Sequence, residues 1–153
     1  MQYLNRLKLE LVRGEFENPI KGQVREPAQM YAVFKDIKNW AKETAIGVYM
    51  SDNLELNSYE IHSVGGEKYS VILPEEIFRS AILTRSKYIV LIHNHPSGMA
   101  KPSEEDWEVI KLLQEQSIVM NRRLLDFIIV GETSYWSLFE HTDGGEYTLG
   151  TIG

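Results

Sequence analysis

The chain has 153 residues, 43% hydrophobic, 25% charged and 10% aromatic, the length and make-up of one globular domain, which argues against wholesale disorder. Its 16 Lys and Arg against 22 Asp and Glu leave a net charge of −6, without the broad positive field that draws phosphate backbones, so nucleic acid is disfavoured as a partner. The absence of cysteine excludes disulfides, thiolate nucleophiles, Cys-built zinc fingers, iron–sulfur clusters and His/Cys/Cys zinc deaminases, and leaves a metal site only His, Asp and Glu to draw on.

The first residues, MQYLNRLKLE, lack the apolar run of a signal peptide, and no stretch reaches the ~18 apolar residues of a membrane span. A cytoplasmic protein with no membrane partner is the expectation. Leu7, Leu9 and Leu11 alternate with Arg6, Lys8 and Glu10, which predicts a strand over 4–12. A long connection carrying Gly14, Pro19 and Gly22 follows. Met30, Phe34, Ile37 and Trp40 recur at helical spacing and predict a helix over 28–41. Residues 43–51 and 54–63 read as two strands joined at Asp52-Asn53, with the alternation of the second slipping phase near Asn57 and Ser58. Pro74 opens a helix with Glu75 and Glu76 in its first turn, where carboxylates suit the dipole.

Residues 87–93 (KYIVLIH) are an apolar run typical of a central strand covered on both faces. Pro96, Gly98 and Pro102 mark a loop, and Ser103 starts a helix with Trp107, Ile110 and Leu113 on one side. Residues 124–130 and 134–139 predict two more strands. The order β-α-β-β-α-β-α-β-β points to an α/β fold with a single mixed β-sheet flanked by helices. Residues 1–26 are expected to form an N-terminal strand and connection, 27–142 the main folded domain, and 143–153 a flexible Gly-rich tail.

Chemistry concentrates where the central strand ends. Strand side chains alternate faces, so His93 and His95 project together. The Pro/Gly loop leads to a helix whose first turn carries Asp106. Two imidazoles and one carboxylate leave a tetrahedral cation one open position for water. Ser103 with Asp106 three residues on also resembles a capping box, weakened by Asp in place of Glu or Gln. Asn94 points to the opposite strand face, which suits a supporting structural role. His62 and His141 read as surface or strand histidines, and Trp40, Trp107 and Trp136 as core residues.

The string His93-Asn94-His95-Pro96-Ser97-Gly98, then Pro102-Ser103 and Asp106, is similar to the signature of the JAMM/MPN+ metalloprotease family and resembles its RadC-like branch. The likeness runs from roughly residue 43 to 140 and includes LLDFIIVG and SYWSLFE. It implies a JAMM/MPN, cytidine-deaminase-like architecture and hydrolysis of peptide or isopeptide bonds in a peptide or protein substrate. It also implies one Zn2+ per chain on His93, His95 and Asp106. Ser103 then steadies an oxyanion, and an upstream glutamate is the general base. Glu43 matches that context, with Glu55, Glu60 and Glu67 as rivals. Two departures stand out. The helix-hairpin-helix region of longer relatives has no counterpart in the fewer than thirty residues before the first helix, so the chain reads as a short form. Asp126-Phe127 replaces the usual Asp-His.

Two other readings compete with a zinc peptidase. His93-Asn94-His95 taken literally suggests an HNH-type nuclease, although such enzymes need a ββα finger and usually a basic face. A RadC-like non-enzymatic binding or DNA-associated module on the same fold is the other.

Overall fold

The computed structural model describes residues 1–64, 72–144 and 146–147; Glu67 lies outside them. The helices are α1 (Pro27–Phe34), α2 (Pro74–Leu83), α3 (Glu104–Met120) and α4 (Leu138–Thr142). The strands are β1 (Thr44–Met50), β2 (Leu56–Val64), β3 (Tyr88–Asn94), β4 (Arg123–Val130) and β5 (Tyr135–Ser137). One 5-stranded sheet runs in the order β2-β1-β3-β4-β5. Among the described strands only β3 and β4 are parallel; α3 is their crossover, the connection that parallel neighbours require. The expected single mixed sheet flanked by helices is therefore present.

β1 and β3 are buried along their whole length. Their even and odd positions feed two cores. Ile46, Val48, Val90 and Ile92 pack beneath α1 with Met30 and Phe34. Ala45, Tyr49, Ile89 and Leu91 pack beneath α2 and α3 with Phe78, Ile110 and Leu113. The phase slip anticipated near Asn57 is a β-bulge: Tyr49 faces Ser58 while Met50 faces Leu56, which leaves Asn57 as the extra residue.

The structure corrects several expectations. Residues 4–12 form no strand; Leu4 and Leu7 are 99% and 84% exposed, because alternation specifies a face but supplies no neighbouring strand to pair with. The predicted helix over 28–41 tightens into a 3₁₀ segment at Lys35–Asn39. The predicted strand over 134–139 ends at Ser137, whose hydroxyl accepts from the Glu140 amide and starts α4. Trp107 is 46% exposed rather than core, and meets Trp136 edge-on at 5.5 Å between centroids. His62 is a strand residue, as read, but its side chain is buried, with Nδ1 3.1 Å from Glu60.

Tyr147, within the segment read as a flexible tail, is buried and donates its hydroxyl to Asp126 Oδ2 at 2.7 Å. Asp126 is fully buried and also accepts from the Phe127 and Phe139 amides and from the Ser137 hydroxyl. It ties β4, β5, α4 and the Tyr147 segment together. Burial pushes its carboxyl up to about 6, against the lowering effect of these hydrogen bonds. A folded-state pKa above the unfolded one means that protonation favours folding. The contribution is complete below the unfolded pKa, about 3.9, and is lost as pH rises through about 6. Melting temperatures of metal-free protein taken from pH 4.5 to 7 are expected to show that decline, which Asp126→Asn removes.

Candidate metal centre

β1 runs antiparallel to β3, with Ala45 opposite His93. The amino end of β1 therefore lies beside the carboxyl end of β3, and Glu43, one residue ahead of β1, arrives next to the imidazoles. The loop after β3 folds back onto β4. The His95 amide donates to the Val130 carbonyl, the Gly98 amide to His95, and the Glu132 amide to Gly98. Two glycines allow this. Gly98 has φ +85, and a Cβ on Gly131 would sit 2.7 Å from the Gly98 carbonyl oxygen.

His93 and His95 share a face as expected, their rings 5.1 Å apart and nearly perpendicular. His95 Nε2 is 3.1 Å from Asp106 Oδ2, and His93 Nε2 is 3.9 Å from Asp106 Oδ1. His93 Nε2 also lies 2.7 Å from Glu43 Oε1. Ligand atoms of Glu43, His93 and His95 all fall within 4.8 Å of one another. The structure thus brings together the three expected ligands and the expected base. Glu55 and Glu60 stand elsewhere, Glu60 on Arg79 and Ser80.

Ser103 caps α3. Its hydroxyl accepts from the Asp106 amide at 3.2 Å and its amide donates to Asp106 Oδ2 at 2.8 Å. The capping box that the sequence had made doubtful is closed, because the shorter Asp still reaches the cap amide. One oxygen, Oδ2, therefore serves both the helix start and His95. Ser103 is exposed, and with its oxygen accepting, its hydroxyl proton is free to be donated.

The donor set suits a cation. His95 Nδ1 donates to the Met99 carbonyl at 2.9 Å, the outer hydrogen bond that orients a metal-binding imidazole. That bond turns Nε2 toward the Asp106 carboxylate, where only a second proton or a cation relieves repulsion between lone pairs. Burial lowers the His95 pKa, but the bond to Asp106 outweighs it and the net shift is upward. For Asp106, burial raises the pKa, and hydrogen bonds from His95 and Ser103 bring it below the usual value. The hydrogen bond from His93 lowers Glu43 despite burial. His93 Nδ1 is buried without a partner among the described residues, so its proton sits on the Glu43 side, where a cation would replace it.

Asn94 faces away from the cluster and is fully buried. Its Oδ1 accepts from the Thr44 amide at 2.6 Å, and its Nδ2 donates to the Ile37 and Lys42 carbonyls. The side chain thus pins the 37–44 segment that delivers Glu43. This is the supporting role expected of it. It also overturns the HNH reading, since the asparagine has no free group to offer and the triplet ends a sheet strand rather than sitting in a ββα finger. Asn94→Ala would orphan buried groups at roughly 1–3 kcal/mol each. The denaturant midpoint should fall accordingly, and Asn94→Asp should fall at least as far because a carboxylate would face carbonyl oxygens.

Sequence reasoning missed the aromatic wall beside the cluster. Trp136 pairs with Ile129, which pairs with His93, so Trp136 shares the His93 face two strands away. Trp107 follows Asp106 directly, and the His141 ring lies tilted against Trp136 at 5.0 Å between centroids. The exposure of Trp107 was the missing signal, and periodicity does not report exposure.

A family described as RadC-like JAB domain matches residues 24–144. A UPF0758 protein of Methanosarcina acetivorans is 34% identical over 119 residues, 77% of this chain and 52% of that protein. UPF0758 proteins of Pelodictyon phaeoclathratiforme and Rubrobacter xylanophilus are 39% and 35% identical over 99 and 136 residues, covering 65% and 87% of this chain and 45% and 60% of theirs. The chain thus spans about half the length of the curated relatives it matches. No helix among the described residues is long and apolar enough to cross a membrane. With its fold, its histidine pair and the match over most of its length in agreement, the chain belongs to the RadC-like JAB domain family.

Proposed function

We propose that the protein is a zinc-dependent metallopeptidase or isopeptidase, hydrolysing an amide bond with an activated water. The observation that carries this reading is the convergence of His93, His95 and Asp106 with Glu43 held 2.7 Å from the His93 ring. Two imidazoles and a carboxylate are a donor set that zinc accepts while keeping an open position. When bound, zinc supplies a Lewis acid that lowers the pKa of a coordinated water to about 7.

The residues of the chain do the rest. His93, His95 and Asp106 would hold the ion. Glu43, kept ionised by its hydrogen bond from His93, takes the proton of the attacking water and returns it to the leaving amine. Ser103 donates its free hydroxyl proton to the developing oxyanion, the type of contact whose loss typically costs about 10²–10³ in kcat. The Asn94 clamp holds the Glu43 segment in register with β3. An extended peptide or a protein tail is the proposed substrate class.

The reading is tested by incubating zinc-loaded protein with a proteome-derived peptide library and counting new termini by mass spectrometry. New termini that vanish on chelation and return with zinc support it. Tight zinc binding without any cleavage would instead make the chain a binding module on the same fold.

A further inference from the structure

Residues 4–12 carry a strand pattern, yet they pair with nothing among the described residues, and their leucines face solvent. At the same time β2 ends the sheet, and among the described residues no strand pairs with its outer edge, the nearest contact being a bridge between Gln23 and Glu55, one residue ahead of β2. An open edge presents a row of unpaired amides and carbonyls, the template on which another strand adds. The arm does not fill its own edge. The chain is fastened under the sheet at Phe16, which packs on Phe34 and Tyr59, and at the Glu15 amide, which donates to the Tyr59 hydroxyl. From there it stands off β2 across a cavity of about 650 Å³.

We infer that residues 4–12 of one copy add to the β2 edge of a second copy, and the reverse, to make a two-fold strand-exchanged dimer. Three features fit this occupant. The nine residues of the arm match the 9 residues of β2, so the two can run alongside each other for their full length. The faces match as well. Tyr59 and Ile61 pair with Val48 and Ile46 and lie on the α1 side, with Ile61 40% exposed, ready to meet Leu7 and Leu9. Glu60 lies on the other side, where Arg6 and Lys8 would stand. Charge agrees: residues 51–62 hold Asp52, Glu55 and Glu60 with no Lys or Arg, while residues 1–13 hold Arg6, Lys8 and Arg13 against Glu10. Between the two bulges of β2, Ser58–Ile61 keep an unbroken ladder to β1, which gives the incoming strand a regular edge. Reciprocal exchange is self-complementary and closes as a pair.

The test is the mass of the full chain in solution by sedimentation across the micromolar range, with hydrogen exchange on the arm amides. Wild type is expected at twice the chain mass with protected amides in 4–12. Leu7→Asp/Leu9→Asp and Leu9→Pro are expected at the chain mass with a native circular-dichroism spectrum, since the arm lies outside both cores. A control on the exposed side of α3, Val119→Asp, should stay dimeric. A monomeric wild type overturns the inference, with protected arm amides then meaning that the arm pairs with its own β2. A dimer that survives both arm variants overturns it equally.

Discussion

Glu43→Gln should keep about one zinc per chain and lose hydrolysis. Amide and carboxylate have nearly the same shape, so the segment pinned by Asn94 is undisturbed and His93, His95 and Asp106 still hold the ion. What disappears is the carboxylate beside the imidazoles that is not assigned to holding the ion, and with it the proposed acceptor of the water proton. General-base contributions run about 10²–10⁴-fold, so kcat should fall by that much with KM little changed. Zinc analysis on the same sample separates two roles, because the Glu43 oxygen lies as close to the His93 and His95 nitrogens as a ligand would. A variant that loses both metal and activity would make Glu43 a ligand. One that retains both would leave the base to be found elsewhere.

His95→Ala should abolish zinc binding at micromolar metal, and Asp106→Asn should do so nearly as fully. Losing an outer-shell partner typically lowers metal affinity by about 10–100-fold, and losing a ligand removes more. Stability reports the same event. A ligand present at 100 times its Kd adds about 2.7 kcal/mol by mass action, so wild type should melt higher with zinc than with chelator while His95→Ala shows no difference. Asp106→Asn carries a second cost in the metal-free state, since its amide cannot accept from both Ser103 and His95 as well as the carboxylate does. An unchanged wild-type melting temperature after metal stripping would count against occupancy.

The strands that build the site were legible because they are buried on both faces or half-buried with regular alternation. Even the phase slip at Asn57 was readable, since a bulge is an interruption of a period. The histidine pair was legible because strand geometry alone puts alternate residues on one face. Residues 4–12 misled for a related reason: their alternation was real, but pairing is a property of two segments. SYWSLF misled because a short apolar run has no period long enough to separate strand from helix, and the hydroxyl of Ser137 decided the matter. Asp126 went unread because three donors from other parts of the chain, Ser137, Phe139 and Tyr147, define its place. Ser103 and Asp106 were weighed as cap or site; the fold closes the cap and leaves the same Asp106 oxygen 3.1 Å from His95.

That shared oxygen has a consequence for how the centre is assembled. Asp106 is oriented by the opening turn of α3 before any ion arrives, and the same turn is what lets α3 lie across β3 and β4. On the proposed reading, the chelating geometry would thus be inherited from folding rather than induced by the metal, with little ordering left to oppose binding. Drift at this position is restrained twice over. A longer acid would still close the helix start, yet it would move its oxygen off the imidazoles, so folding alone would tolerate a change that coordination chemistry would not.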